Sequence, residues 1–184
     1  MQAKEVRVDL TREEARTGLH LSSIIKSILV GLDPKRFGAG PTSDSYTKFE
    51  LGFMWEDLLA RRRTGQCVIL QAGIEKDGIR MTPDGFDICE WKVLESKATW
   101  MSARDPITAP KFRHWIWQVM AYCHAMDTQL AMLEVLFVNG TYSNDRGPMF
   151  KCWNLEFTID ELKENWSMII NQKRHLQQTR RRRG

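Results

Sequence analysis

Asp84, Glu95 and Lys97 are the residues of this chain whose types and spacing could do chemistry together. They lie in TPDGFDICEWKVLESKAT, Thr82 to Thr99, where Phe86, Ile88, Trp91, Val93 and Leu94 have the character of strand interior. A hairpin of residues 85–88 against residues 91–97, turning at Cys89 and Glu90, sets Ile88 opposite Trp91, Phe86 opposite Val93 and Asp84 opposite Glu95. Directly opposed residues hold their Cβ atoms about 4.5–5.5 Å apart, a distance at which two carboxylates repel. A divalent cation between them removes the conflict, and Mg²⁺ is commonly held by one or two carboxylates plus waters and phosphate oxygens. Lys97, two residues beyond Glu95, projects from the same face of the strand. There it could orient or deprotonate a metal-bound water, or neutralise charge developing on a phosphate. The same register pairs Asp87 with Lys92 on the other face and leaves Glu90 in the turn. A competing reading stands beside this one. Asp84-Gly85 is a good turn dipeptide, Glu-x-Lys is common on exposed strands, and a slip of one residue would separate the acids.

The elements that must position these residues follow from periodicity. Residues 5–9 alternate as an extended segment, and Thr11 with Glu14 forms a capping box, with Ser22 or Ser23 available to cap a second start. SSIIKSILVGL is then a short helix ending near Gly31, and GLDPKRFGAGPTSDS is a loop. In SYTKFELGFMWEDLLARRR, Phe49, Phe53, Trp55 or Glu56, and Leu59 recur at helical spacing. CVILQAGI, GIRMT, GFDI and KVLESKATW have strand character. APKFRHWIWQVMAYCHAM returns to helix, with Phe112, Ile116, Val119, Cys123 and Met126 as its core stripe. QLAMLEVLFV and PMFKCWNLEF are two more strands, and Thr158 with Glu161 caps the last helix, IDELKENWSMIINQKRHLQQ. This order specifies an α/β fold, a sheet with helices on its faces.

The chain has 184 residues, enough for one domain with a real core, which we place at 1–172. Its formal charge of +4 arises in the tail: residues 173–184 carry six basic side chains and no acid, leaving 1–172 at −2. The tail is expected to be flexible, and any nucleic-acid site in the body must come from a local patch. The four cysteines, at 67, 89, 123 and 152, form no CxxC pair and are expected as reduced thiols of a cytoplasmic protein. No stretch reads as a membrane span, MQAKEVRVDL has no apolar signal core, and no GxxxxGK[ST] phosphate loop occurs.

Pro83-Asp84, ten intervening residues and Glu95-Ser96-Lys97 resemble the signature of the PD-(D/E)XK nucleases. Gly52-x-x-x-Glu56 resembles the acidic helix motif of the branch that contains lambda exonuclease and the RecB nuclease domain. Gln118-x-x-x-Tyr122 resembles the Q-x-x-x-Y motif of RecB-like exonucleases. Arg16-x-Gly18 with Ser23 is similar to the segment that lambda-type exonucleases place at a DNA 5′ phosphate. The resemblance implies a restriction-endonuclease-like core, a central mixed β-sheet flanked by helices. It implies that Glu56, Asp84 and Glu95, with the carbonyl of Ser96, hold Mg²⁺ or Mn²⁺, and that Lys97 positions the attacking water. Gln118 and Tyr122 would line the site, with His114 continuing their row. The lone Cys152 provides no late cysteine group, so no iron–sulfur cluster is expected.

The function implied is a metal-dependent exonuclease acting on linear duplex DNA ends in phage or bacterial recombination and repair. A resolvase or restriction-like endonuclease shares the fold, and a non-catalytic DNA-binding or phage assembly factor is the alternative of another class. Partners implied are DNA and a single-strand annealing or recombination protein, and a ring-shaped homotrimer is compatible with the resemblance. Arg61 and Arg62, with Arg16, Ser23 and His114, are candidate DNA contacts, although an Arg triplet also suits a soluble helix end. Trp55, Trp91, Trp115 and Trp117 have more the character of core or groove wall than of base-stacking surfaces.

Overall fold

The computed structural model describes residues 19–38, 43–63, 67–71, 73–142 and 147–181. Its centre is β5 (Lys92–Thr99), because the sheet runs in the order β1 (Val68–Leu70), β4 (Gly85–Asp87), β5, β6 (Leu130–Phe137) and β7 (Met149–Glu156). β5 and β6 are parallel and the other pairings antiparallel, so the sheet is mixed. The parallel pair needs a long crossover, and helix α4 (Arg113–Ala125) supplies it after a short 3-10 turn at Pro110–Phe112.

Side-chain parity separates the two faces. Val93, Ala131, Leu133, Val135 and Phe137 are buried in one core with Phe112, Val119 and Cys123 of the α4 segment. Leu21 and Ile24 of α1 (Leu21–Leu32) and Leu162 and Ile169 of α5 (Ile159–Arg181) complete that core. The opposite face meets α3 (Ser43–Arg62), whose Trp55 ring stands edge-on to Phe150, 5.5 Å between centroids. Just past α3, buried Arg63 is ion-paired with buried Glu134 of β6. Helices therefore flank both faces of a mixed central sheet, the α/β class expected from the order of elements.

The hairpin register is the expected one: Phe86 lies opposite Val93 and Asp87 opposite Lys92. Asp87 does not pair with Lys92, however. Its Oδ1 accepts the N–H groups of Cys89 and Glu90 at 2.9 and 3.0 Å, closing the turn, while Lys92 pairs with Glu90. The capping box of the last helix is present, since Glu161 Oε2 accepts the Thr158 N–H at 2.8 Å and Thr158 Oγ1 accepts the Glu161 N–H at 3.2 Å.

Several elements differ from the sequence reading. CVILQAGI breaks at Gln71, whose φ of 46° ends β1, and Ile74 begins a separate hairpin of β2 (Ile74–Lys76) and β3 (Ile79–Met81). The loop after α1 contains one helical turn, α2 (Pro34–Phe37), started by Pro34 and by Asp33 Oδ1 accepting the Arg36 N–H at 3.1 Å. His20, not Ser22 or Ser23, precedes α1, and it does so without a side-chain cap. Cys67 and Cys89 are joined in a disulfide rather than being free, because β1 pairs with β4 and brings residue 67 beside the β4–β5 turn. The basic segment expected to be flexible continues α5 as far as Arg181: Lys173 donates to the Asp77 carbonyl, and Leu176 packs against the core. The early capping box at Thr11 and Glu14 and the extended segment before it lie outside the described residues.

Candidate active site

β4 begins at Gly85, opposite Leu94, so the β5 edge from Glu95 onward has no β4 neighbour. The backbone N–H of Ser96 would otherwise lack a strand partner on that side. Asp84 provides one: its Oδ2 accepts from Ser96 N at 2.7 Å. The carboxylate is thereby fixed beside β5, and the edge left open by β4 becomes one wall of a cleft of about 490 Å³. Glu56, Asp84, Glu95, Lys97, Gln118 and Tyr122 all line this cleft. They come from α3, the segment before β4, β5 and α4, converging from both faces of the sheet at the place where the sheet is incomplete.

Glu95 is 1% exposed and Lys97 is ion-paired with it, as their common face requires. Burial, then the charge of Asp84, pushes the Glu95 carboxyl up to about 8. Burial also raises Asp84, against the opposing pull of Lys97 and of the Ser96 N–H. Burial pushes the Lys97 ammonium down, but Glu95 and Asp84 outweigh it, so its pKa lies above the ordinary value. Lys97 is therefore a cationic hydrogen-bond donor here. It supplies one positive charge against two adjoining carboxylates, with Glu56 adding to the same field.

Gln118 and Tyr122, four residues apart on α4, share a face as expected: Gln118 Nε2 donates to the Tyr122 hydroxyl at 2.6 Å. That hydroxyl in turn donates to the Thr82 carbonyl at 3.3 Å. Burial, followed by the Glu95 charge, raises Tyr122 well above the usual phenol value and keeps it a donor. The pair thus ties α4 to the turn that presents Asp84.

Among the described residues, no three His, Cys, Asp or Glu side chains stand together in an arrangement that could hold a metal ion. The donor chemistry nevertheless fits a hard cation. Glu95 Oε2 is buried with no hydrogen-bond partner, next to the Asp84 carboxylate, whose charge raises its pKa. A divalent cation with oxygen ligands would satisfy both groups.

Other expected residues fall elsewhere. Ser96 is buried with its hydroxyl unpartnered, and it is not among the cleft-lining residues. Ser23 is exposed on α1, and it is Ser22 that lines the cleft. Arg61 and Arg62 are exposed at the end of α3, Arg61 lying 3.8 Å from Asp57, and neither lines the cleft. His114 also lies outside the lining; burial, then Lys97, lowers it to about 4, so it is neutral. Arg16 lies outside the described residues.

The sequence reading missed His20, Gln71 and Arg80 as cleft residues. Arg80 is half exposed, and its Nε lies 3.4 Å from Glu75. Its strand is carried to the cleft by docking on the segment before α1, with the Arg80 N–H donating to the Leu19 carbonyl at 3.0 Å. No local pattern announces that contact.

No protein-family model matches the sequence, and no curated protein matches it. Solved structures do. An alkaline exonuclease from Laribacter hongkongensis superposes with a TM-score of 0.51 at 15% identity, over 90% of this chain and 92% of that one. A phage-related exonuclease from Haemophilus somnus superposes with a TM-score of 0.50 at 13% identity, over 86% and 82%. The chain shares the fold of these two exonucleases. In this fold, the open edge of β5 is where the chain gathers its acids. No helix among the described residues is long and apolar enough to cross a membrane.

Proposed function

We propose that the chain is a metal-dependent deoxyribonuclease, an exonuclease that hydrolyses phosphodiester bonds from the ends of linear duplex DNA. The observation that carries this reading is the convergence of Glu56, Asp84, Glu95, Lys97, Gln118 and Tyr122 on one cleft. Glu95 and Asp84, with Glu56 from α3, would hold Mg²⁺ or Mn²⁺. The ion, when bound, supplies Lewis-acid polarisation of the phosphoryl oxygen and a more acidic water.

The chain's own residues do the rest. Lys97, held cationic, donates hydrogen bonds that orient the nucleophilic water or a phosphate oxygen, and it meets the negative charge that grows on the phosphoryl group. Asp84 is kept in place by the Ser96 N–H, so its carboxylate needs no reorganisation. Tyr122 and Gln118 brace the Thr82–Asp84 turn from α4. Arg80, on the cleft wall, offers a cation to a non-scissile phosphate.

The test compares end-labelled linear duplex, covalently closed circular duplex and single-stranded DNA, each with Mg²⁺. Progressive loss of label and mononucleotides from the linear duplex, with the closed circle intact, is the expected result. Nicking or linearisation of the closed circle would replace the exonuclease with an endonuclease of the same fold. Salt-sensitive binding without cleavage would leave a DNA-binding protein.

A further inference from the structure

A second surface lies at the C-terminal end of β5. Just past Thr99, half-buried Trp100 and Met101 line a separate depression of about 440 Å³ with Ala98, Lys48 and Tyr142. The Lys48 ammonium sits 5.6 Å from the centre of the Trp100 ring. Tyr142 is 57% exposed and has a φ of 61°, a left-handed conformation that is uncommon for a residue with a side chain. Its hydroxyl donates to the Trp100 carbonyl, which fixes the ring on the surface beside Trp100. Such strain is kept where surrounding structure holds it, often at ligand sites.

We infer that Trp100, Tyr142 and Lys48 form a strand-holding subsite for single-stranded DNA, with a base on the aromatic rings and a phosphate at the lysine. Aromatic rings beside a cation are the combination that binds single strands without sequence preference. The position fits as well. Lys48 lies eight residues before Glu56 on α3, about 12 Å along a helix, and Trp100 lies five residues past Glu95, about 16 Å along a strand. At the stacked rise of about 3.4 Å per nucleotide, the two paths span roughly three to five nucleotides from the cleft. The subsite would receive the strand leading to, or left by, the hydrolysed end. The inference rests on the nucleic-acid reading of the cleft.

Fluorescence anisotropy in EDTA, with the full chain and labelled oligothymidylates of 3 to 20 nucleotides, tests it. Wild-type affinity should rise once the oligonucleotide spans both sites. Trp100→Ala and Tyr142→Ala should each weaken binding of the long oligonucleotides about tenfold. Trp100→Phe should retain most of the affinity, and Lys48→Ala should reduce the salt dependence. Melting temperatures check that each variant folds, and Tyr142 and Lys48 are exposed enough to be read even if Trp100→Ala does not. Affinities unchanged in Tyr142→Ala and Lys48→Ala, or a loss equal for 3 and 20 nucleotides, would overturn the subsite. Mg²⁺-dependent digestion by the wild type is scored separately. A wild type that binds through these residues but does not digest would refute the nuclease reading and leave the subsite standing. Digestion with no contribution from Trp100 and Tyr142 would do the reverse.

Discussion

At the residue scale, the cleft is short of positive charge. Lys97 faces Glu95 and Asp84, and burial pushes both carboxyls upward. Their folded-state pKa values lie above the unfolded ones, so the folded chain holds these protons more tightly than the unfolded chain does. The stability they confer is complete below the ordinary carboxylate pKa and is lost as pH rises towards about 8. The melting temperature in EDTA should therefore fall between pH 5 and pH 8, apart from the contributions of other groups. Glu95→Gln should flatten that fall and raise the pH 8 melting temperature by several degrees. A variant with the wild-type pH profile would show that Glu95 is not the group responsible. Arg80 gives a second prediction. If it meets a non-scissile phosphate, Arg80→Ala should raise KM about tenfold and leave kcat within about threefold, a loss of binding common to ground and transition states. A fall confined to kcat would place it nearer the chemistry.

At the scale of elements, the site depends on where strands stop. The β4–β5 register was legible in the sequence because Phe86 and Val93 sit on a single hairpin with a short turn, and a local pairing leaves a local pattern. The α4 row of Gln118 and Tyr122 was legible for the same reason, as was the capping box of α5. Trp115, buried against Phe112 with ring centroids 5.0 Å apart, widens the α4 core stripe beyond the five positions read from spacing. What sequence did not disclose are contacts between distant segments. Cys67 meets Cys89 only because β1 adds to β4, and Arg63 meets Glu134 only because α3 covers the even-numbered face of β6. That ion pair is buried, so breaking it on one side leaves a charge without a partner. Arg63→Met should cost about 3–5 kcal/mol in a denaturant melt, and adding Glu134→Leu should restore much of it. If the double variant is as unstable as the single one, the pair contributes more than mutual neutralisation.

At the scale of the whole molecule, both ends of the described chain are drawn towards the middle. The segment before α1 docks on β3, and α5 runs back past the β2–β3 hairpin to its last described turn. Composition alone made the basic end look like a tail, since Arg and Lys are found on solvated segments as readily as on helices. Lys173 and Leu176 show why it is not one up to Arg181. Removing residues 173–184 should lower stability by about 1–2 kcal/mol, mostly through the lost Leu176 packing. A flexible tail would leave the melting temperature unchanged.

The central claim is that Lys97 and the acids beside it form one hydrolytic centre that works with a divalent cation. Its most direct test is nucleotide release from linear duplex DNA by the wild type and by Lys97→Ala, each with Mg²⁺ and with EDTA. Release by the wild type in Mg²⁺ alone, with at least a hundredfold loss in a Lys97→Ala protein that melts as a folded chain, is the predicted result. Release that persists in EDTA, or that Lys97→Ala leaves unchanged, would contradict it.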